Sequence, residues 1–417
     1  MDEIDQDDLA RRAITDAVRD HFGRLVSVLI KDLRDFQLAE DCLQDALESA
    51  LVHWSRKGPP QSPPAWLLQT ARRKAIDRIR RMKNFERKSA EISCLIELDQ
   101  RAAENHDTQP IVDERLRLIF TCCHPAIDPK TRVALTLRTL CGLTTTEIAR
   151  AFLVSEDAMA QRLVRARNKI EKAGIPYEVP DEDAWPERLN SVLAVIYLVF
   201  NEGYSATAGD VQVRSDLCEE AIRLGRLMTM LRPGEAESEG LLALMLLNHS
   251  RRAARASADG GFVALNNQDR QLWDRKLIGE GILLLETSLH RKRPGIYQLQ
   301  AAISAVHAEA SSYDETRWDE IVSLYDGLYA FSNNPVYLLN RAVALSFLNG
   351  PQAALDALQP LESHLSGYQP FHASKADFLR RLGSLEDART SYTVAIEMSG
   401  NESERAFLRM RLATIAH

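Results

Sequence analysis

Apolar residues recur along this chain at three- and four-residue spacing almost from end to end, and alternating β-branched runs are scarce. Gly and Pro fall between the periodic stretches, where they end helices. The pattern predicts an all-α protein in four zones. Residues 10–89 read as a compact helical domain. Residues 90–112 are mixed, polar and acidic (Glu91, Glu97, Asp99, Glu104, Asp107), reach Pro110, and read as a linker. Residues 113–174 read as a second small helical domain. Beyond Gly174–Ile175–Pro176 and an acidic stretch at 180–183, a helical region covers 180–417.

That last region carries a repeat. Ala308, Ala342 and Ala376 are 34 residues apart, Ala354 and Ala388 keep the same period, and so do Leu324, Leu358 and Tyr392. Small residues at these places let two antiparallel helices approach closely, and 34 residues is the tetratricopeptide (TPR) period. The frame is clear over 301–400, although Gly350 is one residue out of register with Gly383. From 185 to 300 the helical signal is strong but no period is readable; stacked helical pairs are expected there too.

Residues 143–170, LTTTEIARAFLVSEDAMAQRLVRARNKI, predict two short helices around a turn. Thr144 or Thr145 is the expected N-cap of the first, with Glu147 in its first turn, and Ile148, Ala149 and Phe152 or Leu153 form its apolar stripe. Ser155 caps the second, with Glu156 and Asp157 at its positive end. Met159, Leu163, Ala166 and Ile170 recur at helical spacing and face inward. Gln161, Arg162, Arg165 and Lys169 face out, as a recognition helix in a major groove requires. The competing reading is an ordinary hairpin with a solvated basic face. Leu153 stands where such turns usually carry Gly.

Two helices precede this pair. Residues 64–83 start at Pro64, a favoured first helical position, and mix Trp66, Leu67, Thr70, Ile76 and Ile79 with Arg72, Arg73, Lys74, Arg78, Arg80, Arg81 and Lys83. Such residues neutralise phosphates, and Trp66 either abuts an opened base or packs in a core. Residues 36–54 place Leu43, Leu47, Ala50 and Leu51 on an inner face and Asp41, Gln44, Asp45 and Glu48 on an acidic outer strip. A charged strip is most often solvated surface; its place before the basic helix makes protein docking a second reading.

Charge sharpens this division. Residues 1–172 hold 29 Lys+Arg against 27 Asp+Glu, leaving 23 against 32 in the remainder, and residues 72–88 alone hold nine basic and two acidic side chains. A basic stripe on a balanced domain is a footprint for phosphate; the acidic remainder is not. No run of 18 apolar residues spans a membrane and the acidic MDEIDQDDLA is unlike a signal peptide, so a cytoplasmic protein is expected. Six cysteines (Cys42, Cys94, Cys122, Cys123, Cys141, Cys218) do not make a disulfide framework in 417 residues. Cys122–Cys123–His124 does not chelate one tetrahedral ion easily; small buried side chains at a helix end fit better. There is no Gly-rich phosphate loop and no metal-ligand spacing, so no enzyme, metal or cofactor is expected. His249, Arg251 and Arg252, with Asp269, Arg270 and Trp273, either line a pocket or form an internal salt-bridge network; the network is the commoner arrangement.

Taken together, AEDCLQDAL, WLLQTARRKAIDRIRR and LTTTEIARAF followed by RLVRARNKI resemble the polymerase-binding, −10 and −35 segments of a bacterial RNA polymerase σ factor of the extracytoplasmic-function (ECF) type. RLRLIFTCCHPAIDPKTRVALTLRTL, NEGYSAT, QDRQLWD and LNRAVAL extend the likeness to the subgroup with a C-terminal TPR-like helical extension (group 42). The resemblance implies a σ2 domain at 10–89, a σ4 helix-turn-helix domain at 113–174 and a helical extension at 180–417. It implies docking of Asp41, Gln44, Asp45 and Glu48 on the β′ clamp helices of core RNA polymerase, with the β subunit also in contact. Trp66, Arg72, Arg73, Lys74, Asp77, Arg78 and Arg80 would meet the −10 element of promoter DNA. Thr145, Thr146, Gln161, Arg162 and Arg165 would meet the −35 element, with Arg162 the leading contact, and residues 90–112 would follow the RNA exit path. AMAQR departs from the family's usual recognition string, so no −35 preference carries over. Control in cis by the extension, through an intramolecular contact with the σ domains, is the expected use of residues 180–417. The alternative is a conventional DNA-binding regulator with a TPR-like sensor domain, which would not need residues 36–83.

Overall fold

The computed structural model describes residues 3–81, 114–152, 154–204, 215–255, 263–400 and 402–415. Among the described residues there are nineteen α-helices and no strand. The expected linker at 90–112 and Leu153 lie outside them. The chain forms two compact units, residues 1–195 and 196–417. The boundary expected at 174–180 falls within the first.

The first unit begins with α1 (Glu3–Leu33), α2 (Phe36–Lys57) and α3 (Pro63–Arg81). The N-cap of α2 is Asp35, whose side chain accepts from the Leu38 amide, and its C-terminus is closed by Gly58 at φ +77°, a conformation that L side chains rarely adopt. Ala39, Leu43, Ala46, Ala50 and Trp54 form its buried face. Leu51, expected inside, is instead 40% exposed, and Leu47 is half-buried. The buried face runs through Ala46 and Ala50, and Leu51, one residue on, lies outside it.

Next come α4 (Arg115–Cys122), α5 (Pro129–Thr139), α6 (Thr145–Ala151) and α7 (Glu156–Lys172). The two helical groups pack on each other. Gly23 of α1 lies against the Leu140 backbone so closely that a Cβ there would sit 2.6 Å from its carbonyl oxygen. Tyr177, past the end of α7, donates to the Ser27 carbonyl at 2.7 Å, and its ring meets Phe36 edge-on. Helix α8 (Trp185–Tyr204) crosses the division between the units. Its first turns belong to the first unit, where Trp185 packs on Phe120 at 5.0 Å between ring centres and Arg188 donates to the Phe120 carbonyl.

The second unit continues with α9 (Ser215–Leu231), α10 (Ala236–His249), three 3-10 turns between 252 and 272, α11 (Arg275–His290), α12 (Ile296–Glu309), α13 (Trp318–Ser332), α14 (Pro335–Leu348), α15 (Pro351–Leu358), α16 (Glu362–Leu365), α17 (Gln369–Leu382), α18 (Leu385–Met398) and α19 (Glu402–Ala413). The 34-residue period is visible in the packing: Ala342, Ala354, Ala376 and Ala388 are fully buried, as are Leu358 and Tyr392 to within 2%. The register slip also has a local cause. Gly383 ends α17 in the left-handed helical conformation (φ +85°, ψ 4°), whereas Gly350 precedes α15 with an extended ψ of 167°. No period was readable before residue 300 because α10 is buried nearly all round, with Gly240 against Gln298. A helix enclosed on every side has no polar stripe to mark a phase.

Candidate nucleic-acid interface

Helix α6 opens with a capping box. The Thr144 amide and hydroxyl both reach Glu147 Oε2, at 2.7 and 2.8 Å, and the Glu147 amide donates to the Thr144 hydroxyl at 3.2 Å. Thr144 is therefore the cap, leaving Thr145 and Thr146 half-buried in the first turn. Ser155 caps α7 by accepting from the Ala158 amide. Met159, Leu163, Ala166 and Ile170 form the buried face of α7 as its spacing predicts. The opposite face carries Gln161, Val164 and Arg165, all exposed. Val164 was absent from the sequence reading, although its signal was there: an apolar residue half a turn out of phase with the buried set, here 49% exposed. Arg162 sits differently. It is half-buried, its guanidinium 5.8 Å from the centre of the Phe152 ring. With Arg165, Lys169, Lys130 and Asp128 it lines a groove of about 530 Å3. Burial opposes ionisation of Asp128, but hydrogen bonds from Thr131, and then the Arg162 charge, hold its carboxyl below the usual range.

On α3 the basic residues divide by environment. Arg72 makes a two-pronged ion pair with Asp32 at 2.9 and 3.0 Å, both side chains only 11% exposed. Burial raises the Asp32 carboxyl, against the pull of Arg72. Arg78 reaches Asp41 at 3.0 Å and Asp45 at 2.9 Å, so it ties the acidic strip of α2 to α3. Arg73, Asp77 and Arg80 are exposed and Lys74 is half-buried. Trp66 stacks on His53 at 5.7 Å and meets Trp54 edge-on at 5.4 Å, so one face of its ring already packs against protein. On α2, Gln44 and Glu48 are exposed. Glu48, Asp45, His53 and Lys74 share a groove of about 560 Å3 where α2 and α3 meet.

The two helical groups are joined through Glu40, a fully enclosed carboxylate on α2. Its Oε2 accepts from Arg167 of α7 at 2.6 Å and from Arg138 of α5 at 3.3 Å. Arg167 also donates to Gln37 at 2.5 Å, and Arg138 to the Leu143 carbonyl. Burial raises the Glu40 carboxyl, and the two guanidiniums oppose that rise. Nearby, Lys31 of α1 pairs with Glu114 just before α4. None of these partners was read from sequence, because residues 98 and 127 positions apart leave no local pattern.

Cys122 and Cys123 are buried with their sulfurs beside Thr139 and Thr136. Burial raises both thiols, that of Cys123 to about 11. They pack as small side chains between α4 and α5.

Residues 17–85 match the family Sigma-70 region 2, and residues 117–170 match Sigma-70, region 4. Residues 188–289 match a family of unknown function, DUF6596. The chain belongs to the ECF-like σ factors with a C-terminal extension. An uncharacterized protein of Rhizobium meliloti (strain 1021) is 44% identical over 393 residues, covering 94% of this σ factor and 93% of the relative. The chain and that protein therefore share one family over both units. No solved structure matches this σ factor. Its region 2 match contains α2 and α3, and its region 4 match contains the α6–α7 helix-turn-helix. As a σ factor it serves promoter-specific transcription, with core RNA polymerase and promoter DNA as partners. σ-factor families are DNA-binding initiation factors rather than enzymes. Among the described residues no helix is long and apolar enough to cross a membrane.

Proposed function

We propose that α2 docks on the β′ clamp helices of core polymerase through Gln44, Glu48 and the outer edges of Asp41 and Asp45, with the β subunit also in contact. Helix α3 then presents Arg73, Lys74, Asp77 and Arg80 to the −10 element, and Arg78 joins them by leaving Asp41 and Asp45. Trp66 offers the free side of its ring to an opened base. Arg72 acts behind them by fixing α3 to α1 through Asp32. The −35 element is read by Gln161 and Arg165, with Val164 between them suited to a thymine methyl. Thr145 and Thr146 position phosphates, and Arg162 braces the reading helix from its flank.

The observation that carries this reading is the junction of α2 and α3. An acidic docking strip and a basic DNA face share one edge, with Arg78 common to both.

The closed packing around Glu40 is then a resting state. Elements at −10 and −35 are about 25 base pairs apart, on the order of 85 Å of B-DNA at ~3.4 Å per step. A compact unit of this length has a radius of gyration of about 16 Å, too small to touch both. The two helical groups have to separate before both elements are bound. The extension controls that equilibrium in cis; covalent attachment supplies an effective concentration on the order of millimolar. Transcription from purified core polymerase with the full chain and with a chain ending at Tyr204 tests the control. Unequal activity supports it, and equal activity removes it. The cut is placed there because Trp185 and Arg188 belong to the first unit.

A further inference from the structure

In the second unit three arginines converge, and among the described residues no carboxylate joins them. Arg251 and Arg255 follow the end of α10, and Arg270 comes from the last 3-10 turn before α11. Arg255 is 6% exposed, lies 3.4 Å over the Tyr204 ring and donates to the Tyr204 carbonyl. Arg251 donates to the Tyr204 hydroxyl at 2.8 Å and to the Asn248 side chain at 2.6 Å. The guanidiniums of Arg251 and Arg270 lie 5.8 and 4.5 Å from the centre of the buried Trp273 ring. Among the described residues no Asp or Glu pairs with any of the three. Two carboxylates of this stretch are engaged elsewhere: Asp274 pairs with Arg252, and Asp269 caps the Gln271 amide.

Carbonyl oxygens offset part of this charge. Arg255 donates to the Tyr204 carbonyl, and Arg270 donates to the His307 and Ala310 carbonyls at the end of α12. One helix end carries about half a negative charge, so among the described residues most of the charge of the three guanidiniums is left without a carboxylate. Polar atoms are also left over. Arg270 Nη2, a donor, and His307 Nδ1 are both buried without a hydrogen-bond partner. Burial and the neighbouring guanidiniums hold the Arg255 and Arg270 side chains and the His307 ring below their ordinary values. Arg255 is buried and Arg251 and Arg270 are half-buried; cations withdrawn from water are costly, and proteins normally pair them.

We propose that Arg251, Arg255 and Arg270, with His307, form a binding site for a small dianion, a phosphoryl group or a dicarboxylate. Guanidinium forks bind both oxyanions in two-pronged fashion. The Tyr204 and Trp273 rings are already covered by guanidiniums, so the site recognises charge rather than an aromatic ring. This site is independent of the promoter and polymerase contacts proposed above.

Thermal melts and calorimetric titration of the full chain test it, using inorganic phosphate and malonate against sodium chloride at matched ionic strength. The expected result is a saturable rise in Tm below about 10 mM of one or both dianions, since a ligand that binds only the folded state stabilises it. A response to phosphate alone assigns a phosphoryl ligand, and one to malonate alone a dicarboxylate. Arg251→Gln weakens that response about tenfold or more without lowering the ligand-free Tm, because it removes a repelling charge and keeps a hydrogen-bonding side chain. Arg226→Gln, which breaks an exposed pair with Glu280 on the same unit, leaves the response intact. A Tm that follows ionic strength only, or a dianion response that survives Arg251→Gln, overturns the proposal.

Discussion

Arg167 of α7 donates to Glu40 of α2 at 2.6 Å, with Arg167 14% and Glu40 3% exposed. This bond links the DNA-reading hairpin to the helix proposed to dock on polymerase. Removing one member of a buried pair leaves the other charge stranded, at about 3–5 kcal/mol. Glu40→Ala, which strands both Arg138 and Arg167, is expected to lower the urea midpoint of the first unit by that order. Glu40→Gln keeps an acceptor and loses less. A double-mutant cycle of Glu40→Gln with Arg167→Gln should show a coupling well above the roughly 1 kcal/mol of an exposed pair.

Gly23 probes the same packing without touching charge. In Gly23→Ala the new methyl meets the Leu140 carbonyl backbone, which cannot step aside as a side chain would. Overpacking of this kind costs about 1–3 kcal/mol. If the closed packing competes with function, Gly23→Ala and Glu40→Gln both raise the apparent affinity for core polymerase in a direct binding assay. Weaker binding in both would contradict a resting role for the closed form.

On the reading helix, Gln161→Ala and Arg165→Ala should each cost about 1–3 kcal/mol in −35-dependent DNA binding. Val164→Ala should act only at a thymine-bearing position. Arg162→Ala should instead act mainly on the melting temperature, because its guanidinium rests on Phe152. Gel-shift titrations on single-base variants of the −35 element, alongside thermal melts, separate these effects.

Two histidines of the second unit give a pH signature. His249 is pushed down to about 4 by burial first and Arg252 second, with Asp274 opposing. His307 is pushed down to about 3 by burial first, then by Arg251 and Arg270. The unfolded chain takes up these protons near pH 6.5 and the folded chain resists them. Stability from both groups is therefore complete above about pH 6.5 and falls as the pH drops toward 4 and then 3. His307→Gln should reduce the slope of that loss throughout pH 6.5 to 4, and remove the part between 4 and 3, in urea unfolding measured between pH 7 and 3.

Much of this architecture is legible in the sequence where it depends on local chemistry. The caps at Thr144 and Ser155 and the inward set on α7 follow from side chains acting within one or two turns. The 34-residue spacing of Ala342, Ala376, Ala354 and Ala388 survives because close helix approach demands a small side chain at each. Other features depend on distant partners. Leu51 lies outside the buried face that Ala46 and Ala50 share, and tertiary packing rather than its own apolar character decides that side. The internal salt-bridge network expected around His249–Arg252 is present for Arg252 with Asp274, but Arg251 and Arg270 meet aromatic rings and carbonyls instead. The roles of Arg138 and Arg167 depend on a carboxylate about a hundred residues away, so nothing near them in the chain announces it.

The most direct test of the central claim is run-off transcription with purified core polymerase on a promoter selected by the full chain. The account predicts a discrete transcript that requires the chain, weakens in the double variant Gln44→Lys with Glu48→Lys, and is lost when either promoter element is replaced. A chain that binds a palindromic site as a dimer, yet never yields a transcript from core polymerase, would identify it as a conventional regulator and contradict the account.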